Sequence, residues 1–377
     1  MENPFIYGEV VTGKNLCGRE DETKELLRDI RNSQKVLLFS PRRYGKTSLL
    51  KDIFINLNKK EFFTIYVDLY PALNESDFIK LLAKAFSSGI TAPLYKTLNV
   101  LKDTFKHLAS RLSFTINKEG NIEFDISLEK HDISPVLVDL LEGINSYITK
   151  NGKKGVIVFD EFQQVNYFEK DKVEKELRSQ MQSQRNICYI FSGSKKHLLM
   201  DMFANPNRPF YKSTKHFQLD KLKSKDIFRF IKTKFQDTDI EIKDDLINKV
   251  IDISECHPFY FQYICHEMWE MSFLNGKVAD EYLERSVDRI MERETSSYDN
   301  IWSLLSLKQK KTLIALSKIL PQEKIFSNNF ITKYNIGPVS TLQRVLNGLV
   351  KKELIDKVNN NYEILDIIFK KWIQRIY

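Results

Sequence analysis

At 377 residues the chain exceeds what one hydrophobic core usually supports, so two or three domains are expected. A 42% hydrophobic share, 29% charged residues and only 13 Gly and 10 Pro argue for a helix-rich globular protein with few long disordered stretches. No apolar run is long enough to span a bilayer and no basic-then-apolar leader opens the chain, so a soluble, cytoplasmic protein with no membrane partner is expected.

The net charge of +8 is unevenly distributed. Of 58 Lys and Arg and 50 Asp and Glu, 13 and 5 fall from Ile301 onward, leaving 45 of each sign before it. A neutral body with a basic C-terminal module points to a nucleic-acid contact there, or to a simple solubilising bias. Cys17, Cys188, Cys256 and Cys265 are scattered, without zinc or disulfide spacing, and read as reduced, mostly buried residues.

In chain order, Leu16 to Glu22 precede an amphipathic helix bearing Leu26, Leu27 and Ile30. The apolar run Val36, Leu37, Leu38, Phe39 then reads as a strand, followed by Ser40, Pro41, Arg42, Arg43, Tyr44, Gly45, Lys46, Thr47 and Ser48. This is the GxxxxGK[ST] phosphate loop with Ser40 in place of the first glycine. Gly45 lets backbone approach a phosphate, Lys46 reaches the β- and γ-phosphates, and Thr47 offers a hydroxyl to Mg2+ at a helix N-terminus that favours anions. ATP and Mg2+ are therefore the expected ligands, with a helix over about Lys46 to Leu57.

Phe62 to Leu69 reads as a second strand ending near Asp68, and a helix runs through Phe78 to Phe86. Alternation at Phe114 and Ile116, then Ile122, Phe124 and Ile126, predicts a hairpin inserted at about 111–127. Val156, Ile157, Val158 and Phe159 run into Asp160 and Glu161, a Walker B pattern: a buried strand that aims Asp160 at the metal and Glu161 at the attacking water. Asn186 to Phe191 is a further strand, ending in Ser192, Gly193, Ser194. A polar side chain there can meet the γ-phosphate or the water; Ser194 is the first candidate and Ser192 the second, a plain strand-to-loop turn being the alternative.

After a short strand at Lys215 to Leu219, Lys221 to about Glu294 is helical throughout, a lid rather than more sheet. Leu307 to Tyr377 reads as three helices, Gln309 to Ile319, Asn328 to Tyr334 and Val339 to Lys352. Two strands follow around Asn359, Asn360 and Asn361, the order of a winged helix-turn-helix. In the third helix Val339, Leu342, Val345, Leu346, Leu349 and Val350 form the expected buried stripe. Arg344 and Lys351, with Lys357 at the wing, are left as candidate duplex-DNA contacts. Protein docking through the same module is the open alternative.

Taken in order, these motifs resemble the AAA+ P-loop ATPases of the archaeal-ATPase type, relatives of the origin-recognition and STAND ATPases. The resemblance implies an α/β fold: a parallel P-loop sheet with helices on both faces (1–220), a helical lid (221–298) and a winged helix (299–377). It implies that Gly18 and Arg19 belong to an hhGRxxE element beside the adenine, with Arg19 and Glu22 holding that segment. It gives Pro258 the proline of a GxP element, with Cys256 where glycine is expected. Members also place Gly-Arg after a Pro-aromatic-aromatic run. Here Lys212 and Ser213 follow Pro209, Phe210 and Tyr211, which removes the obvious arginine finger and leaves Arg208, Arg178 and Arg185 as fallbacks. No nuclease-like domain is expected beyond Tyr377.

The leading expectation is a slow Mg-dependent ATPase, cycling ATP and ADP, that switches conformation and acts at DNA, with Glu161, Asp160, Lys46 and Ser194 as catalytic residues. The alternatives are a STAND-like switch that docks a protein partner or assembles as a homo-oligomer, and a transcription regulator with a vestigial nucleotide site.

Overall fold

The computed structural model describes residues 2–90, 93–108, 112–117, 122–126, 133–168, 171–319, 323–358 and 361–377. The hairpin turn at 118–121 and the wing turn at Asn359 and Asn360 lie outside the described residues. Two compact units form: residues 19–220, and residues 2–18 together with 221–377. The first 18 residues thus group with the lid and winged helix rather than with the sheet.

The strands are β1 (Val36–Phe39), β2 (Phe62–Asp68), β3 (Leu112–Ile116), β4 (Ile122–Ile126), β5 (Lys154–Asp160), β6 (Ile187–Gly193), β7 (Lys215–Gln218), β8 (Ile355–Val358) and β9 (Asn361–Ile364). Five of them make one parallel sheet in the order β2-β5-β6-β1-β7. Both faces are covered, which is why β1, β5 and β6 read as unbroken apolar runs. Alternate residues divide between the faces. Val36, Leu38, Val156, Val158, Cys188 and Ile190 pack on one side, and Leu37, Phe39, Ile157, Phe159, Tyr189 and Phe191 on the other. All four cysteines are free thiols, and Cys256 is the one that is not buried.

β3 and β4 form the expected antiparallel hairpin. Helices Leu94–Thr104 and Ile133–Lys150 flank it in the chain.

In the other unit, helices Ser224–Gln236, Asp244–Ser254, Pro258–Ser272 and Tyr282–Ser303 form the lid. Residues 2–18 pack into it: Phe5 lies 4.9 Å from Phe235, and Tyr7 stacks on Tyr263 at 4.0 Å between ring centroids. The winged helix comprises Leu307–Lys318, Asn328–Lys333, Val339–Lys351, the β8–β9 pair and a terminal helix Ile367–Ile376. That last helix corrects the expectation of three helices and a hairpin. It buries Ile368, Phe369, Trp372 and Ile373, with Phe369 5.1 Å from Tyr298 of the lid, so lid and wing share one core. Val339 corrects a second expectation: it is 42% exposed, while Leu342, Leu346 and Leu349 carry the buried stripe.

An ionic cluster also joins these elements. Glu255 accepts from Lys221 at 3.1 Å and from Lys370 of the terminal helix at 2.8 Å, and Lys221 also reaches Glu363 of β9 at 3.2 Å. The two lysines hold the Glu255 carboxyl below its ordinary range against the opposing effect of burial.

Candidate active site

The site is built at the C-terminal ends of β1, β5 and β6, where three loops leave adjacent parallel strands. From β1 the chain turns through Ser40 and Arg43, at φ +65°, to Gly45, at φ +86°, and enters helix Lys46–Asn56. Gly45 has nothing within 4 Å of where a Cβ would stand, so its role is conformational. No side chain caps this helix. A helix N-terminus of this kind favours an anion.

Lys46 is buried and turns back on the loop, donating to the Ser40 carbonyl at 3.0 Å and the Pro41 carbonyl at 3.1 Å. Ser40 is itself buried; Arg42 and Arg43 are exposed, Tyr44 and Ser48 buried. Arg19 reaches the same loop from before β1: it donates to the Tyr44 carbonyl at 3.0 Å and the Asp220 carbonyl at 2.8 Å, and pairs with Glu22 at 2.6 Å.

Thr47 brings the loop to β5, donating its hydroxyl to Asp160 Oδ2 at 2.9 Å. The other carboxylate oxygen of Asp160 accepts from the Glu161 N–H at 3.0 Å. A third donor was not anticipated: the Tyr66 hydroxyl of β2 also bonds Asp160 Oδ2. Tyr66 is held by helix Lys46–Asn56, with Lys51 Nζ 3.8 Å from its ring centroid and Phe54 edge-on. Burial, then the Asp160 charge, push the Tyr66 phenol well up. Its signal in the sequence is faint: Tyr66 stands two residues before Asp68, on the same face of a strand that pairs with β5.

Glu161 follows at φ +51°, a left-handed turn that carries it out of the strand. Its Oε2 accepts from Ser194 Oγ at 3.1 Å and from the Gln163 amide. Of the two serines after β6, Ser194 thus meets the acid, whereas Ser192 faces the core, fully buried and with no partner for its hydroxyl. Gln163 stands two residues after Glu161 and is followed by Gln164, so nothing in the local sequence marks it.

Chemically, a helix N-terminus, a buried lysine and a hydroxyl beside a carboxylate form a set that fits a phosphate with a hard divalent ion such as Mg2+. The fallback arginines fare differently. Arg208 is engaged with the buried Glu174 at 2.5 Å and Asn166 at 2.9 Å. Burial pushes the Glu174 carboxyl up to about 7, with Arg208 restraining it. Arg178 lies in helix Lys172–Ser183, half-buried, and Arg185 is exposed.

Gly18 and Pro258 belong to the other unit. Gly18 sits at φ +53°, where a Cβ would come 2.7 Å from the Asp226 Cβ. Pro258 opens helix Pro258–Ser272, capped by His257, whose Nδ1 accepts from the Phe259 N–H at 3.2 Å. Cys256, where glycine was expected, keeps a left-handed backbone at φ +59°; Lys212, the other such position, does so at φ +52°.

No curated protein matches the chain. Among solved structures it is similar to a Walker-type ATPase of Pyrococcus abyssi, at 18% identity and TM-score 0.69 over 98% of this chain and 99% of that one. It is also similar to the ORC2 protein of Aeropyrum pernix, solved in ADPNP–ADP complexes, at 13% identity and TM-score 0.60 over 99% and 98%. The A. pernix ORC1 protein in complex with DNA matches at 9% identity and TM-score 0.50 over 99% and 96%. At these identities the likeness is one of fold. Residues 296–375 match a probable winged helix domain, and residues 16–263, more than half of the chain, match the ATPase domain predominantly from Archaea. The protein therefore belongs to that archaeal-type ATPase family and carries a C-terminal winged helix domain.

Proposed function

We propose that the protein binds ATP with Mg2+ and hydrolyses it slowly to switch conformation at duplex DNA. The observation that carries this reading is the meeting of Thr47 with Asp160, beside Lys46 and a Glu161 held by Ser194. Lys46 and the N–H groups of its helix would hold the phosphates, and Thr47 and Asp160 would hold the metal, which when bound would supply Lewis-acid neutralisation of the phosphate oxygens. Glu161 takes the proton of the attacking water as its oxygen bonds the terminal phosphorus and the bond to the ADP oxygen breaks. Turnover is slow because Lys212 and Ser213 stand where an arginine finger is expected and Arg208 is engaged elsewhere. Such a finger is worth on the order of 10^3 to 10^5 in rate.

The DNA part rests on the basic winged helix, where Arg344, Lys351 and Lys357 are exposed, and on the fold shared with a protein crystallised on DNA. The second reading, a switch that docks protein through this domain, is favoured by the exposure of Leu304, Leu307 and Val339.

Two variants test the nucleotide reading. Lys46→Ala should abolish tight ATP binding, because it removes ground-state phosphate charge neutralisation. Glu161→Gln should keep binding and stop turnover. Equal loss of binding in both would remove Glu161 from its role.

A further inference from the structure

Gln163 is 2% exposed, and its primary amide lies against Gly193 at the end of β6, where Leu199 is also close. Its amide nitrogen donates to Glu161 Oε2. Its carbonyl oxygen is buried and has no hydrogen-bond partner. A buried, unpartnered carbonyl loses its solvation with no bond in return, so an apolar side chain of the same length would serve packing better. The residue therefore makes little sense as a core filler.

A second observation singles out the same contact. A Cβ placed on Gly193 would stand 2.0 Å from Gln163 Oε1. Only a residue without a side chain at 193 leaves the amide where it can bond Glu161. Gly193 has no positive φ that would otherwise demand glycine. Gly193 and Gln163 are thus fitted to one another, at the end of the strand that also delivers Ser194.

We propose that Gln163 is a positioning residue for Glu161. With Ser194 it pins one carboxylate oxygen, Oε2, by two donors. Among the described residues no side chain bonds Oε1, which stays open to take the proton of the attacking water. The two donors also restrain a side chain that leaves β5 through a left-handed turn and would otherwise be free to rotate. The inference rests on Glu161 acting on the water, as proposed above.

The test uses the full chain and three variants: Gln163→Met, Gly193→Ala and Glu161→Gln. Steady-state ATP hydrolysis, affinity for a fluorescent ATP analogue and thermal midpoint are measured for each. Gln163→Met should lower kcat by roughly 10- to 100-fold, the scale of a misplaced catalytic group, with KM and analogue affinity within about twofold of the parent. Its thermal midpoint should stay close to the parent's, because the lost bond to Glu161 is offset by removal of the unpartnered carbonyl. Gly193→Ala should lose kcat in the same way while Gln163 is still present, since the added methyl displaces the flexible amide rather than backbone.

Parent-like kcat in Gln163→Met, alongside an inactive Glu161→Gln, would overturn the role of Gln163 and leave that of Glu161 standing. A loss of kcat that merely follows a lowered midpoint would also overturn it, as that marks a packing residue. Full turnover by Glu161→Gln, or none by the parent protein, would overturn both assignments together.

Discussion

Tyr66 donates its phenolic hydrogen to Asp160, joining the fifth residue of β2 to the acid at the end of β5. A hydrogen bond to a charged acceptor contributes about 1.5–3 kcal/mol, so Tyr66→Phe should lower the nucleotide-free stability by about that amount. Urea unfolding monitored by circular dichroism would measure it. An unchanged midpoint would mean that the bond does not persist in solution.

The Arg208–Glu174 pair makes a prediction with a sign in pH. Glu174 has a folded pKa near 7, above its ordinary 4.5, so the folded state keeps a proton that the unfolded state releases. Its contribution to stability is therefore present below pH 4.5 and is lost as pH rises towards 7. Removing Arg208 leaves a buried carboxylate uncompensated above that range. Arg208→Ala should destabilise by about 3–5 kcal/mol at pH 8 and recover much of the loss at pH 5.5. Were Arg208 instead a catalytic finger, the variant would lose turnover at unchanged stability.

Cys256 and Lys212 hold left-handed backbone without being glycine. Such a conformation costs an L-residue about 1–2 kcal/mol, part of which glycine returns as unfolded-state entropy. Cys256→Gly and Lys212→Gly should each raise stability by about 0.5–1 kcal/mol. Thermal unfolding of the single variants checks this, and a lowered midpoint would show that the side chain contributes more than the strain costs.

DNA binding by the full chain should weaken when Arg344 and Lys351 are both replaced by alanine, with the salt slope reduced by roughly two units, about one per phosphate contact. Fluorescence anisotropy with a labelled duplex over a salt series gives the slope. If the parent protein shows no salt-sensitive binding near physiological ionic strength, the protein-docking reading replaces this one.

Sheet strands and acidic residues could be read from local pattern because β1, β5 and β6 are covered on both faces and end in charged or small residues. Tyr66 could not, since its partner is set by the parallel register of β2 on β5, far apart in the chain. Gln163 lies in a short 3-10 turn, Phe162–Tyr167, too brief for any periodicity to show which side chains turn inward. The terminal helix Ile367–Ile376 has readable periodicity at Ile368, Phe369, Trp372 and Ile373, but it follows the wing so closely that it merged with it. Val339 is exposed at the first position of its helix, one turn before the buried Leu342.

The way residues 2–18 pack against the lid has a consequence for biosynthesis. On the ribosome, Phe5 and Tyr7 emerge long before Phe235 and Tyr263 exist to receive them. The contiguous stretch 19–220 can close its sheet in the interval, as domains generally fold as units during synthesis. The helical unit cannot complete until translation has run past the lid, so its leading strap waits, apolar and unprotected.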